Sequence, residues 1–165
     1  MLKEYPNASA IVQCSPEISL PDRVERVERL SHVAIRELYA RAHAVLIPTR
    51  PNVHFSGMTV TLEGMAVGRP VIATNTLGAD EYVMHGENGY LCPPGDAQKF
   101  ADAAIEMLRC PDVAARIGES AADWVRLNHT TDLMNQNLSR IIEETTGAIR
   151  MGQESASSGV GDRNP

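Results

Sequence analysis

The chain has 165 residues, 43% of them hydrophobic, with a formal charge of −6. That length fits one domain on the usual scale of about 100–200 residues, and the apolar share can supply a real core. The acidic balance, with no Lys/Arg-rich run, argues against nucleic acid or an anionic membrane as the main partner.

The three cysteines, Cys14, Cys92 and Cys110, are odd in number and lack CxxC spacing. A disulfide framework or a zinc site is therefore not expected, and a reducing cytoplasm is. The N-terminus has no charged-then-apolar leader pattern, and no apolar run reaches membrane-spanning length.

In chain order, Ala10-Ile11-Val12-Gln13-Cys14 reads as a short buried strand and Ser15–Asp22, with two prolines, as loop. Val24, Val27 and Leu30 fit either a helix or a short strand, and their spacing leaves both open. Ser31 is an N-cap for a helix through Ala42 with Ile35, Leu38 and Tyr39 on one face. Ala44–Ile47, ended by Pro48, has the continuous apolar character of a central parallel strand. The stretch Thr49–His54 reads as loop.

The run Thr61-Leu62-Glu63-Gly64-Met65-Ala66-Val67-Gly68-Arg69-Pro70-Val71-Ile72-Ala73-Thr74 carries the most information. It predicts a short helix, a glycine stop and a buried strand. The loop ahead of it, Phe55-Ser56-Gly57-Met58-Thr59, can present backbone N–H groups and the positive end of the helix dipole to a phosphate. Glu63 falls about one turn into that helix, within reach of other atoms of a phosphate-bearing ligand.

Further on, Gly86–Gly89 reads as a turn into a short strand that ends at Pro93 and buries Cys92. Asp96 caps a helix through Leu108. Pro111-Asp112 opens another, through roughly Leu127, and a last amphipathic helix runs from about Asp132 to Thr145. The tail 147–165, without apolar period, is expected to be disordered. Strands alternating with helices predict an α/β fold, with a parallel sheet and a ligand crevice at the strands' carboxyl ends.

The segment around Glu63 resembles the donor-binding signature of the family-4 retaining glycosyltransferases, which have the GT-B fold. Companion motifs follow at the expected places: Gly78-Ala79-Asp80-Glu81-Tyr82-Val83, Gly86-Glu87-Asn88-Gly89-Tyr90-Leu91 and Pro93-Pro94-Gly95-Asp96. The resemblance covers roughly residues 1 to 145 and is clear from Ile35 to Leu108.

It implies a Rossmann-like sheet with flanking helices over residues 1–146, the C-terminal half of a GT-B fold. The first strand and crossover helix of that half are expected to be missing, with Leu2–Pro6 as the end of the helix. The family's glycine-lysine segment, which contacts the donor phosphates, belongs to the same missing part.

The implied activity is transfer of a sugar from a nucleoside diphosphate sugar to a hydroxyl of a glycan, lipid or small molecule. No metal or other cofactor is implied. The acceptor site and the catalytic residues fall to an N-terminal domain, in the same chain or a partner subunit. The isolated chain is therefore expected to be inactive.

Carried over residue by residue, Ser56, Gly57, Met58 and Thr59 would meet the pyrophosphate through their N–H groups, and Glu63 would accept hydrogen bonds from ribose hydroxyls. The family's first glutamate is absent. Counting back the same interval from Glu63 gives Phe55, and no acid lies between Thr49 and Leu62. His54 could supply a polar contact there.

Asp80 and Glu81 resemble a carboxylate pair, but neighbours on a helix diverge, and stabilising a helix N-terminus suits them better. Tyr82 and Trp124 read as packing residues, and Arg36 as either a base contact or a surface arginine. The lost glutamate keeps a second reading open, a non-catalytic nucleotide-sugar-binding module. Phosphorylases and epimerases of the same fold remain open as well.

Overall fold

The computed structural model describes residues 5–158, with side chains through residue 147. The chain divides into two compact units, residues 1–126 and 127–165. The first contains β1 (Ala10–Gln13), β2 (Val24–Val27), α1 (His32–Arg41), β3 (Val45–Ile47), α2 (Met58–Ala66), β4 (Val71–Thr74), β5 (Tyr90–Cys92) and α3 (Ala97–Arg109). A further helix, α4 (Pro111–Asn128), ends just past the division.

Every strand pairing is parallel, but the strands fall into two sheets, β1–β2 and β3–β4–β5. The two sheets share no ladder among the described residues. The ambiguous Val24–Val27 segment is a strand because it has a partner, in register from Ala10↔Val24 to Gln13↔Val27.

The centre of the fold is β4, all four residues of which are buried. Val71 and Ala73 pack on one face with Met65 of α2 and Ala121 and Val125 of α4. Ile72 packs on the other with Ala103, Ala104 and Met107 of α3 and Ile117 of α4. Burying each of the larger side chains contributes about 1.5–3 kcal/mol. Ser31 caps α1, accepting a hydrogen bond from Ala34 N, and Asp96 caps α3 through Lys99 N at 2.9 Å. Cys92 is buried as expected, and all three cysteines are free.

The first sheet differs from expectation. None of the described residues ahead of Val45 is fully buried, and Ile11 of β1 is 43% exposed. Leu46, the middle residue of β3, is 39% exposed, although a central strand should be covered on both faces. The apolar sequence is that of a buried strand.

Arginines hold the β1–β2 pair instead. Arg23, at φ +64°, donates from Nη1 to the carbonyls of Tyr5, Pro6 and Ala8 at 2.7, 3.0 and 3.2 Å. Arg26 donates to the carbonyl of Ile18 across the same connection. Arg23→Ala is expected to remove about 1 kcal/mol, read as roughly fivefold faster amide exchange over Ala10–Gln13. Arg23→Gly should lose less, because glycine relieves the left-handed backbone.

In the second unit, α5 runs Thr131–Ser158, with Thr130 accepting from Leu133 N at its start. The helix continues past Thr145 and through the first part of the segment read as a tail without structure. Ala148, Met151, Gln153 and Glu154 are good helix formers, and the two glycines, Gly147 and Gly152, cost about 1 kcal/mol each without breaking a helix. Residues 159–165 lie outside the described part.

Candidate functional site

The site read from the sequence centres on the start of α2. Gly57 is its N-cap, in the left-handed region at φ +96°, with no side-chain cap. A Cβ there would stand 2.5 Å from Ile47 Cγ2, so the loop turns into the helix hard against the end of β3. The first N–H groups of an α-helix have no partner within it. Those of Gly57, Met58, Thr59 and Val60 meet no acceptor among the described residues. Ser56 differs, since its N–H donates to the His54 carbonyl at 3.0 Å. The Ser56 hydroxyl is engaged too, 2.9 Å from Asn52 Nδ2 and 3.1 Å from His54 Nε2, and Val60, which sequence reasoning missed, adds an N–H that the helix start alone could have signalled.

Glu63 lies about 9 Å along the helix from Gly57. It is half-buried, and its carboxylate has no hydrogen-bond or ion-pair partner among the described residues. Burial, and secondarily Glu63, holds the Tyr39 phenol of α1 above its ordinary value, so that hydroxyl stays protonated beside the carboxylate.

The threonines around the carboxyl ends of β3 and β4 also escaped sequence reasoning. Thr49 N donates to Thr74 Oγ1 at 2.9 Å, which ties the two strand ends together. The hydroxyls of Thr49, Thr61 and Thr76 are buried and unpartnered. Buried polar atoms in native proteins nearly always have a partner, so each of these is a position where a ligand or water would be stabilised. The Thr49 methyl lies 3.9 Å from where a Gly57 Cβ would stand, which sets it at the same helix terminus.

Phe55, at the position of the absent first glutamate, packs against the core, its ring centroid 5.7 Å from that of Tyr82. Tyr82 in turn meets Trp124 edge-on at 6.5 Å, so both aromatics serve as packing residues. Asp80 and Glu81 lie exposed in a 3-10 turn over Ala79–Glu81, and Arg36 is exposed on α1. None of these three belongs to the group at the start of α2. Among the described residues, no cluster of three or more His, Cys, Asp or Glu is placed to hold a metal ion. No described helix is long and apolar enough to cross a membrane.

A separate cleft of about 390 Å³ opens at the carboxyl ends of β1 and β2, lined by Gln13, Cys14, Arg26, Val27, Glu28 and Arg29 among others. It shares no residue with the α2 site.

With this geometry in view, the family model described as "Glycosyl transferases group 1" matches residues 7–110, which includes the loop, α2 and the β4–β5 region. The chain is a group 1 glycosyl transferase by family.

Among curated relatives of this family, the N-acetyl-alpha-D-glucosaminyl L-malate synthase of Bacillus anthracis is 34% identical over 125 residues, covering 76% of this chain and 32% of its own. The Anabaena protein Alr3699/HepE, solved in complex with UDP-glucose, superposes with a TM-score of 0.65 at 26% identity, covering 74% of this chain and 33% of that one. The C-terminal domain of LpcC, a glycosyl transferase group 1 family protein from Francisella tularensis, has a TM-score of 0.67 at 22% identity. There the match covers 79% of this chain and 74% of the domain, a likeness of fold. The described architecture is thus that of the C-terminal half of a GT-B fold. The chain spans about a third of the Bacillus and Anabaena proteins.

Proposed function

We propose that this chain is the donor-binding portion of a retaining glycosyltransferase, which takes a sugar from a nucleoside diphosphate sugar and passes it to an acceptor hydroxyl. The observation that carries the reading is the uncapped start of α2, where four successive N–H groups meet no acceptor among the described residues. Such a terminus binds a diphosphate and opposes the charge that develops on it as the glycosidic bond breaks, without a divalent ion. The unpaired carboxylate of Glu63 is suited to accept from ribose hydroxyls at the nucleoside end.

The acceptor and the groups that handle it belong, on this reading, to a further domain in the same polypeptide or a partner. A cytoplasmic location suits a nucleotide-sugar donor and the free cysteines. The 165-residue chain alone is expected to bind donor and not to turn over.

Glu63→Gln is expected to weaken binding of both UDP and UDP-glucose about tenfold by calorimetry, with the melting temperature unchanged. Unaltered affinity for both ligands would remove Glu63 from the site. A second reading, a binding module without catalysis, is favoured by the inward packing of Phe55 where the family's glutamate would be. Glycosyl transfer by the chain completed with an acceptor domain separates the two.

A further inference from the structure

The outer edge of β5 is closed by a side chain. Asn75 N donates to the Cys92 carbonyl at 2.8 Å, which puts the backbone groups of Cys92 on the β4 side. Backbone groups alternate along a strand, so the Leu91 N–H points away from β4, where the sheet has no further described strand. His85 meets it there, with Leu91 N donating to His85 Nδ1 at 3.0 Å. The same ring stands edge-on to Tyr90, centroids 5.2 Å apart, and His85 forms a bridge with Gly89. A backbone N–H only donates, so Nδ1 is the bare nitrogen and the ring proton belongs on Nε2, assigned from this bond direction.

The other bonds of this turn do not titrate. Asn88, fully buried, accepts from Met84 N at 2.7 Å and donates to the Tyr82 carbonyl at 3.2 Å. Gly86 N donates to the Gly89 carbonyl at 2.8 Å. His85 is the exception, exposed to solvent and holding Leu91 through a nitrogen that an added proton would occupy. A doubly protonated imidazole has no acceptor left. Beside it, Tyr90 donates to Glu106 Oε1 of α3 at 3.0 Å. Burial first, then that bond, holds the Tyr90 phenol above its ordinary value, so it stays neutral in acid. The carboxylates on these two sides are that of Glu106, beyond Tyr90, and that of Glu87, two residues along the turn.

We propose that His85 is a proton-controlled latch on the margin of β5. With a neutral ring it holds the Leu91 N–H and binds the 85–89 turn to the strand. With a charged ring it releases Leu91, whose N–H then stands free at the sheet edge as a donor to any extended chain. The direction follows from the bond itself: whatever stability it contributes is present at the alkaline end and is lost as pH falls.

The test is amide exchange at Leu91 in the full chain, followed by NMR from about pH 8 to about pH 5, the interval in which imidazoles change charge, and divided by the rate of an unprotected amide. Protection of Leu91 should fall about fivefold toward acid, while Met84 and Gly86, held by Asn88 and Gly89, keep theirs. His85→Asn places a carboxamide oxygen near the position of Nδ1 and does not titrate, so it should keep Leu91 protected at both ends. His85→Ala should show the acid value throughout. Unchanged Leu91 protection in the wild type, or an equal fall in His85→Asn, would overturn the proposal. An Nδ1–H ring at the alkaline end, read from the ring nitrogen shifts of the wild type, would overturn it without any variant.

Discussion

Gly118→Ala is expected to destabilise the protein by about 3 kcal/mol and lower its melting temperature by roughly 6–12 °C. Helix propensity alone gives the opposite sign, since alanine in place of glycine within a helix is worth about 1 kcal/mol in favour. Packing decides. A Cβ on Gly118 would stand 2.2 Å from the Gly68 carbonyl oxygen and 2.9 Å from its carbon, and both are backbone atoms that cannot rotate away. Gly68 itself sits at φ +71° as the stop after α2, so its carbonyl is held by the turn into β4. Gly147→Ala in α5 is the control, because nothing lies within 4 Å of the added carbon. Thermal unfolding of the two variants should move in opposite directions. A stabilising Gly118→Ala would show that α4 does not cross α2's terminus as closely as described.

Gly57→Ala is expected to reduce donor affinity by more than about a hundredfold, the largest functional effect of any single substitution in the chain. Two causes act together. The backbone at φ +96° suits glycine and strains any residue with a Cβ. The new carbon would also stand 2.5 Å from Ile47 Cγ2, a stiff β-branched side chain in the buried core. The loop can relieve both only by rotating the Gly57 and Met58 N–H groups off the helix axis, which dismantles the proposed diphosphate cradle. A calorimetric titration with UDP, read beside the melting temperature, checks this. Retained affinity in a folded variant would mean that the diphosphate binds elsewhere.

The elements most legible in the sequence were those whose causes are local. Ser31 and Asp96 announce their helices because short polar side chains satisfy free N–H groups at a helix start. The strand Val71–Thr74 announces itself because only a segment covered on both faces can be so uniformly apolar. Val24–Val27 was not decidable, since a four-residue strand is fixed by the partner it pairs with and not by its own period. The exposure of Ile11 and Leu46 was equally illegible, because an apolar residue type suits a covered face but does not record which elements cover it.

At the site, the glycine loop and Glu63 could be read, since chain conformation and charge show in residue type. The engagement of the Ser56 N–H, the inward turn of Phe55 and the unpartnered Thr49, Thr61 and Thr76 hydroxyls could not. Each depends on which way a side chain or amide faces.

The two interrupted sheets also bear on how the polypeptide behaves in concentrated solution. The strands β1 and β3 each present a row of unpaired amide and carbonyl groups, and β3 sets an exposed leucine beside its row. Natural sheets guard such margins with charge, proline or a covering segment, because an open margin is a template for any extended chain. Among the described residues, β3 carries such a guard in Pro48, just past its end. Raised concentration is therefore expected to promote association through β1 and β3, read as a sedimentation coefficient that rises with concentration.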